Sequence, residues 1–111
     1  GIKPALHAAR KIAPPGVFIQ IEVETPEDLC TALNAGATLI LLDNFDLNDL
    51  RKAAVLNARL TNKGAKLEAS GGITLENIRA VARTGIDRIS IGSLTKDIKA
   101  IDLSMRFSSS T

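Results

Sequence analysis

Two bare turns and four well-spaced carboxylates carry most of the chemistry this sequence offers. The stretch Leu67-Glu68-Ala69-Ser70-Gly71-Gly72-Ile73-Thr74 reads as a strand running into a small-residue turn and then a helix start. With no side chains on Gly71 and Gly72, an anion can approach the backbone N–H groups, and the Ser70 hydroxyl adds a donor. The start of the next helix would favour negative charge in the same place. A second turn of this kind is Gly92-Ser93. The acids Glu22, Glu24 and Asp43 (with Asn44 beside it) also fall where strands should end, and Glu68 lies within one. Such a set suits a ligand with a phosphate at one end and hydroxyls or a divalent cation at the other.

Other chemistries find no support. His7, the single histidine, lies beside Arg10 and Lys11 on a predicted helix and reads as a surface residue. No Cys or His spacing resembles a zinc site, and no nucleophile triad is visible. The net charge of +2 and scattered Lys and Arg give no basic patch with interleaved aromatics, so nucleic acid is not an expected partner. No apolar run is long enough to span a membrane. A single Cys30 cannot form an internal disulfide and reads as a small buried hydrophobe. Together with the lack of a signal segment, it points to the cytoplasm.

The elements that must position these groups alternate. Lys3 to Ala13 is predicted helical, stopped by Pro14-Pro15-Gly16. From Val17 to Glu24, Ile19, Ile21 and Val23 alternate with Gln20, Glu22 and Glu24, the pattern of a strand. Thr25 then caps a helix that starts at Pro26 and ends at Gly36. Thr38 to Asp43 is an apolar strand, followed by a helix capped by Asp46 and running to about Arg59. Lys66 to Ser70 is the third strand, with a helix from Leu75 to Thr84 that buries Leu75, Ile78 and Ala82. Asp87 to Gly92 is the fourth, leading into a helical turn near Leu94 to Lys99. Ile101 to Phe107 alternates again as a final extended segment, and residues 108–111 read as a disordered tail.

Strands each followed by a helix imply parallel pairing through right-handed crossovers. The expected fold class is α/β, the C-terminal half of a TIM-like open β/α barrel. No dinucleotide glycine fingerprint follows the first strand, and polar residues at Gln20, Glu22, Glu24, Lys66, Glu68 and Ser90 recur on one inner surface. A complete barrel takes about 200 residues or more, so the chain supplies about half. Parallel barrels carry their functional groups at the C-terminal ends of strands, where the acids and glycine turns fall.

The same residues carry a resemblance. Ile21-Glu22-Val23-Glu24, Leu41-Leu42-Asp43-Asn44-Phe45, Leu67 to Leu75, Thr84-Gly85-Ile86-Asp87, Ile89 to Lys96 and Asp102-Leu103-Ser104-Met105-Arg106-Phe107 closely resemble the quinolinate phosphoribosyltransferases, also called nicotinate-nucleotide pyrophosphorylases (carboxylating). The resemblance covers nearly the whole chain. It implies an NAD-biosynthetic transferase that converts quinolinate and magnesium-bound phosphoribosyl pyrophosphate to nicotinate mononucleotide, pyrophosphate and carbon dioxide. By motif, Glu22 and Asp43 would contact the ribose hydroxyls and Mg2+. Ser70, Gly71, Gly72 and Gly92 would bind the 5-phosphate, with Glu68 and Asn44 supporting them from behind.

It also implies what these 111 residues leave out. The family has an N-terminal domain and a first barrel half bearing the Arg, Lys and His that grip quinolinate. Residues 1–107 are therefore expected to be the C-terminal portion of the catalytic barrel, with Gly1 following a Lys-Asp-Asn-His motif. Family members assemble as dimers or larger homo-oligomers, and many have His where this chain has Lys96. Two alternatives stay open: a related pyrophosphorylase-like protein associated with molybdenum transport, and a non-catalytic phosphate-binding half-barrel.

Overall fold

The computed structural model describes residues 1–92 and 94–100, so the expected extended segment 101–107 and tail 108–111 lie outside the described residues. Helix α1 (Ile2–Ile12) opens the chain and ends where Pro14 and Pro15 withdraw N–H groups. Strand β1 covers only Ile21–Val23, shorter than the expected 17–24. The register explains the loss. Ile21 pairs with Ile40, so residues 17 to 19 would need partners at 36 to 38, where Gly36 turns with φ +87°. Val17 and Phe18 are accordingly exposed.

Helix α2 (Pro26–Asn34) begins where Thr25 accepts a hydrogen bond from the Asp28 N–H at 3.1 Å. Strand β2 (Leu39–Asp43) leads to α3 (Leu47–Thr61), whose cap Asp46 accepts from the Asp49 N–H at 2.7 Å. The α3 end is left-handed at Asn62, with φ 53°. Asn57, buried on α3, donates to the Ala65 carbonyl at 2.7 Å and accepts from the Ala65 N–H at 3.3 Å, tying α3 to the next strand. Strand β3 (Lys66–Ser70) matches its expected bounds.

Two expectations fail beyond β3. Helix α4 covers only Ile78–Ala82, and Leu75 stays exposed, because Thr74 and Asn77 bond to each other's backbone and hold 74–77 as a turn. After β4 (Arg88–Ile91), the expected helical turn over 94–99 is instead strand β5 (Leu94–Asp97), followed by a short 3-10 turn at Ile98–Ala100. β5 pairs antiparallel with β4, from Arg88 with Asp97 to Ile91 with Leu94. The open edge of β4 offers a whole ladder of backbone partners, which outweighs the weak propensity of four residues for a helix.

The sheet order is β1-β2-β3-β4-β5, with the first four strands parallel. One face carries Val23, Ile40, Leu42, Leu67, Ala69 and Ile89 into the helices, and with Leu6, Leu29, Leu50 and Val81 these residues form the core. The opposite face carries Glu22, Leu41, Glu68 and Arg88 in one register row and Asp43 with Ser70 in the next. Cys30 is half-buried rather than buried, and accepts a weak hydrogen bond from Asn34. No helix among the described residues is long and apolar enough to cross a membrane. The arrangement is a partial, open TIM-like β/α barrel.

Candidate functional site

The C-terminal edge of the sheet brings most of the expected groups together. The Asp43–Ser70 register places the ends of β2 and β3 side by side, and the Asn44 N–H donates to the Ser70 carbonyl at 2.8 Å. Gly71 and Gly72 follow, both left-handed, with φ +79° and +68°. A Cβ on Gly71 would stand 3.1 Å from the Asn44 nitrogen and 3.2 Å from Asp43 Oδ1, so the close approach there requires glycine. Asn44 is itself left-handed at φ 59°, a conformation that Asn tolerates. Among the described residues, the N–H groups of Gly71, Gly72 and Ile73 have no acceptor. Three neighbouring free donors make a cradle for an anion.

Beside this turn lies a cleft of about 480 Å³ between the β2–α3 and β3–α4 loops. Phe45, Leu47, Leu50, Ile73 and Val81 give it apolar walls, with Asn44, Asp46, Ser70 and Asn77 among the polar ones. Its walls among the described residues include no Lys or Arg. The cleft opens on the β2 side of the glycine turn. Gly92 closes β4 on the other side, left-handed at φ 59°, and a Cβ there would meet nothing within 4 Å among the described residues. Gly92 is thus at the right end of the sheet but is not a wall of the cleft.

The carboxylates divide. Asp43 is half-buried and touches the glycine turn. Glu22 is exposed on the same face, one register row back, opposite Leu41. Glu68 is 6% exposed and accepts a hydrogen bond from Thr95 at 3.4 Å. Lys66 forms no ion pair with it among the described residues, and Arg88, its register neighbour, pairs with Asp97 at 2.8 Å. Lys96 pairs with Ile89, so its side chain leaves from the helix side of the sheet. His7 is exposed, as expected, beside Lys3 and Arg10.

Asn77 is the site residue that the sequence reading passed over. Its side chain donates to the Gly72 carbonyl at 2.8 Å and accepts from the Thr74 N–H at 2.8 Å. The signal was available in the spacing of Thr74 and Asn77, three residues apart, a pairing favoured in turns and caps. The helix expected to start at Leu75 hid it. With α4 starting only after this turn, free N–H groups rather than a long helix supply the positive potential at the glycines.

Residues 1–106 match the model of the quinolinate phosphoribosyl transferase C-terminal domain. The chain belongs to the quinolinate phosphoribosyl transferase family. It is 43% identical over 104 residues to a probable nicotinate-nucleotide pyrophosphorylase (carboxylating) of Bacillus subtilis, covering 94% of this chain and 35% of that protein. It is 38% identical over 107 residues to the human nicotinate-nucleotide pyrophosphorylase (carboxylating), covering 96% and 35%. Among solved structures, the nicotinate-nucleotide pyrophosphorylase of Francisella tularensis superposes with a TM-score of 0.71 at 32% identity, over 87% of this chain and 34% of that one. The Ehrlichia chaffeensis pyrophosphorylase gives 0.70 at 32%, over 82% and 31%. The chain thus spans about a third of the length of the relatives it matches. As a quinolinate phosphoribosyl transferase domain, it holds the turn with three N–H groups free among the described residues and the carboxylates beside it.

Proposed function

We propose that this chain supplies the phosphoribosyl-donor side of an active site that transfers phosphoribose to quinolinate. The products are nicotinate mononucleotide, pyrophosphate and carbon dioxide, made in the cytoplasm for NAD biosynthesis by a homodimer or larger homo-oligomer, with no role for nucleic acid or membrane. The observation that carries the reading is the N–H cradle of Gly71, Gly72 and Ile73, unpartnered among the described residues, beside Asp43 in a chain of this family.

In this reading the 5-phosphate lies against the glycine turn on the side of Gly92, with the Ser70 hydroxyl as a further donor. Binding through fixed N–H groups orients the ribose so that its C1 faces the incoming pyridine nitrogen. As pyrophosphate departs, positive character grows on the ribose, and the carboxylates of Glu22 and Asp43 stabilise it from the sheet face they share. Decarboxylation draws on the pyridinium formed in the first step, so the electron sink belongs to the substrate. The groups that hold the quinolinate carboxylates are assigned to residues outside this chain.

Magnesium fits the donor set without a cage of its own. Among the described residues no three His, Cys, Asp or Glu side chains gather as a metal site. Two carboxylates on one face, Glu22 and Asp43, are the hard-oxygen pair that suits a magnesium ion keeping several waters and sharing substrate phosphate oxygens. When bound, it would neutralise charge on the leaving pyrophosphate. One other reading is a phosphate-binding module without turnover, for which the N–H groups of the glycine turn would suffice. Quinolinate-dependent release of pyrophosphate by the full-length protein separates the two. Release supports the transferase, whereas donor binding without release supports the module.

A further inference from the structure

We infer that Asn77 is a positioning residue for the phosphate-binding turn, acting through the Gly72–Ile73 peptide rather than by touching the ligand. The inference rests on the donor-site reading and deepens it. A trans peptide is planar, with its C=O and N–H pointing in opposite directions. Fixing one therefore aims the other.

Two peptides of the turn are fixed in this way. In the first, Ser70–Gly71, the Asn44 N–H holds the Ser70 carbonyl at 2.8 Å, so the Gly71 N–H points away from Asn44. In the other, Gly72–Ile73, Asn77 Nδ2 holds the Gly72 carbonyl at 2.8 Å, so the Ile73 N–H points away from the start of α4. The peptide between them, Gly71–Gly72, has no such clamp on its N–H or carbonyl among the described residues. Two consecutive left-handed glycines have little conformational preference of their own. Without the clamps, the turn would spend much of its time with its donors aimed elsewhere, and a ligand would have to order it.

Asn77 is itself held. Its Oδ1 accepts from the Thr74 N–H at 2.8 Å, and its own N–H donates to Thr74 Oγ1 at 3.3 Å. This reciprocal pair fixes the amide so that its NH2 group faces Gly72. The side chain must accept from Thr74 and donate to Gly72 at once, a combination that an amide provides and a carboxylate lacks. The Asn44 clamp is backbone and survives any substitution short of proline, so Asn77 is the clamp that side-chain chemistry can test.

The test compares Asn77→Ala and Asn77→Asp with the parent in the full-length protein. Steady-state constants are measured for both substrates, with inorganic phosphate as a competitor of the donor. For Asn77→Ala, KM for phosphoribosyl pyrophosphate and the inhibition constant of phosphate should both rise about tenfold, the effect of one lost clamp of ordinary hydrogen-bond strength. KM for quinolinate should stay within about twofold by the same reasoning, since no bond to that substrate is touched. Asn77→Asp keeps the bond from Thr74 but sets a carboxylate against the Gly72 carbonyl, so its deficit at pH 7.5 should equal or exceed that of alanine. Repulsion raises such a carboxyl above its usual value of about 4, and protonation restores a donor. The aspartate deficit should therefore narrow as pH falls toward 5, and the alanine deficit should not.

Equal losses for both substrates, or a pH-independent aspartate deficit, would make Asn77 a merely structural residue and overturn the inference. Gly71→Val, measured alongside, keeps the two levels apart. If it leaves donor binding unchanged, the donor-site reading itself fails. If it abolishes donor binding while both Asn77 variants match the parent, only the positioning role fails.

Discussion

Replacing Gly71 tests the close backbone approach at its tightest point. A side chain there faces two separate penalties. The left-handed backbone, φ +79°, costs about 1–2 kcal/mol for any L-residue, and more for a β-branched one. The added Cβ would also lie 3.1 Å from the Asn44 nitrogen and 3.3 Å from its Cα, backbone atoms that yield only if the β2–α3 loop shifts. Overpacking of this kind costs about 1–3 kcal/mol more. In Gly71→Val the loop moves or the turn flips, and loss of two charge-assisted bonds to the 5-phosphate weakens donor binding by about 3 kcal/mol, more than about 100-fold. Gly71→Ala and Gly72→Ala separate the causes. Both carry the left-handed penalty, but among the described residues a Cβ on Gly72 meets only Asn44 Oδ1 at 3.8 Å, an ordinary contact. Calorimetric titration with phosphoribosyl pyrophosphate should place Gly71→Ala at least about tenfold weaker than Gly72→Ala. Unchanged affinity in a folded Gly71→Val protein would refute the reasoning. Equal losses in the two alanine variants would trace the effect to backbone stiffness, not to the space beside Asn44.

Three further outcomes follow from particular side chains. Glu22→Gln and Asp43→Asn keep shape and remove charge, so turnover should fall about 100-fold while quinolinate affinity, read by titration, changes far less. Asn57→Ala strips both hydrogen bonds from the buried Ala65 backbone and should lower unfolding free energy by about 2–3 kcal/mol in urea; a loss well under 1 would mean that water replaces the amide. Glu68→Gln exchanges a buried carboxyl, whose hydrogen bond among the described residues comes from Thr95, for an amide of the same shape, so the thermal midpoint should not fall. A fall would instead show that a cation beyond the described residues holds Glu68.

What could be read from the sequence was the part fixed by local chemistry. Thr25-Pro26 and Asp46 mark helix starts because their side chains bond N–H groups three residues on, and both do so in the structure. Strand β3 was legible because Lys66 to Ser70 is bounded by turn residues on both sides. The errors arise where a partner elsewhere in the chain decides. Strand β1 stops short because its neighbour offers a glycine turn at positions 36 to 38, and Leu94–Asp97 becomes a strand because β4 had an open edge. At the site, the bare Ser70-Gly71-Gly72 turn and Asp43 could be read by composition and position. The spacing of Thr74 and Asn77 signals their turn, but the Asn77 bond to Gly72 and the left-handed Asn44 could not be read, because each depends on where a neighbouring carbonyl points.

The most direct measurement is the structure of the full-length protein bound to phosphoribosyl pyrophosphate. The 5-phosphate oxygens should lie about 2.7–3.1 Å from the backbone nitrogens of Gly71 and Gly72, with Asn77 still holding the Gly72 carbonyl. A donor bound with its phosphate away from this turn, and the three N–H groups left to solvent, would contradict the assignment.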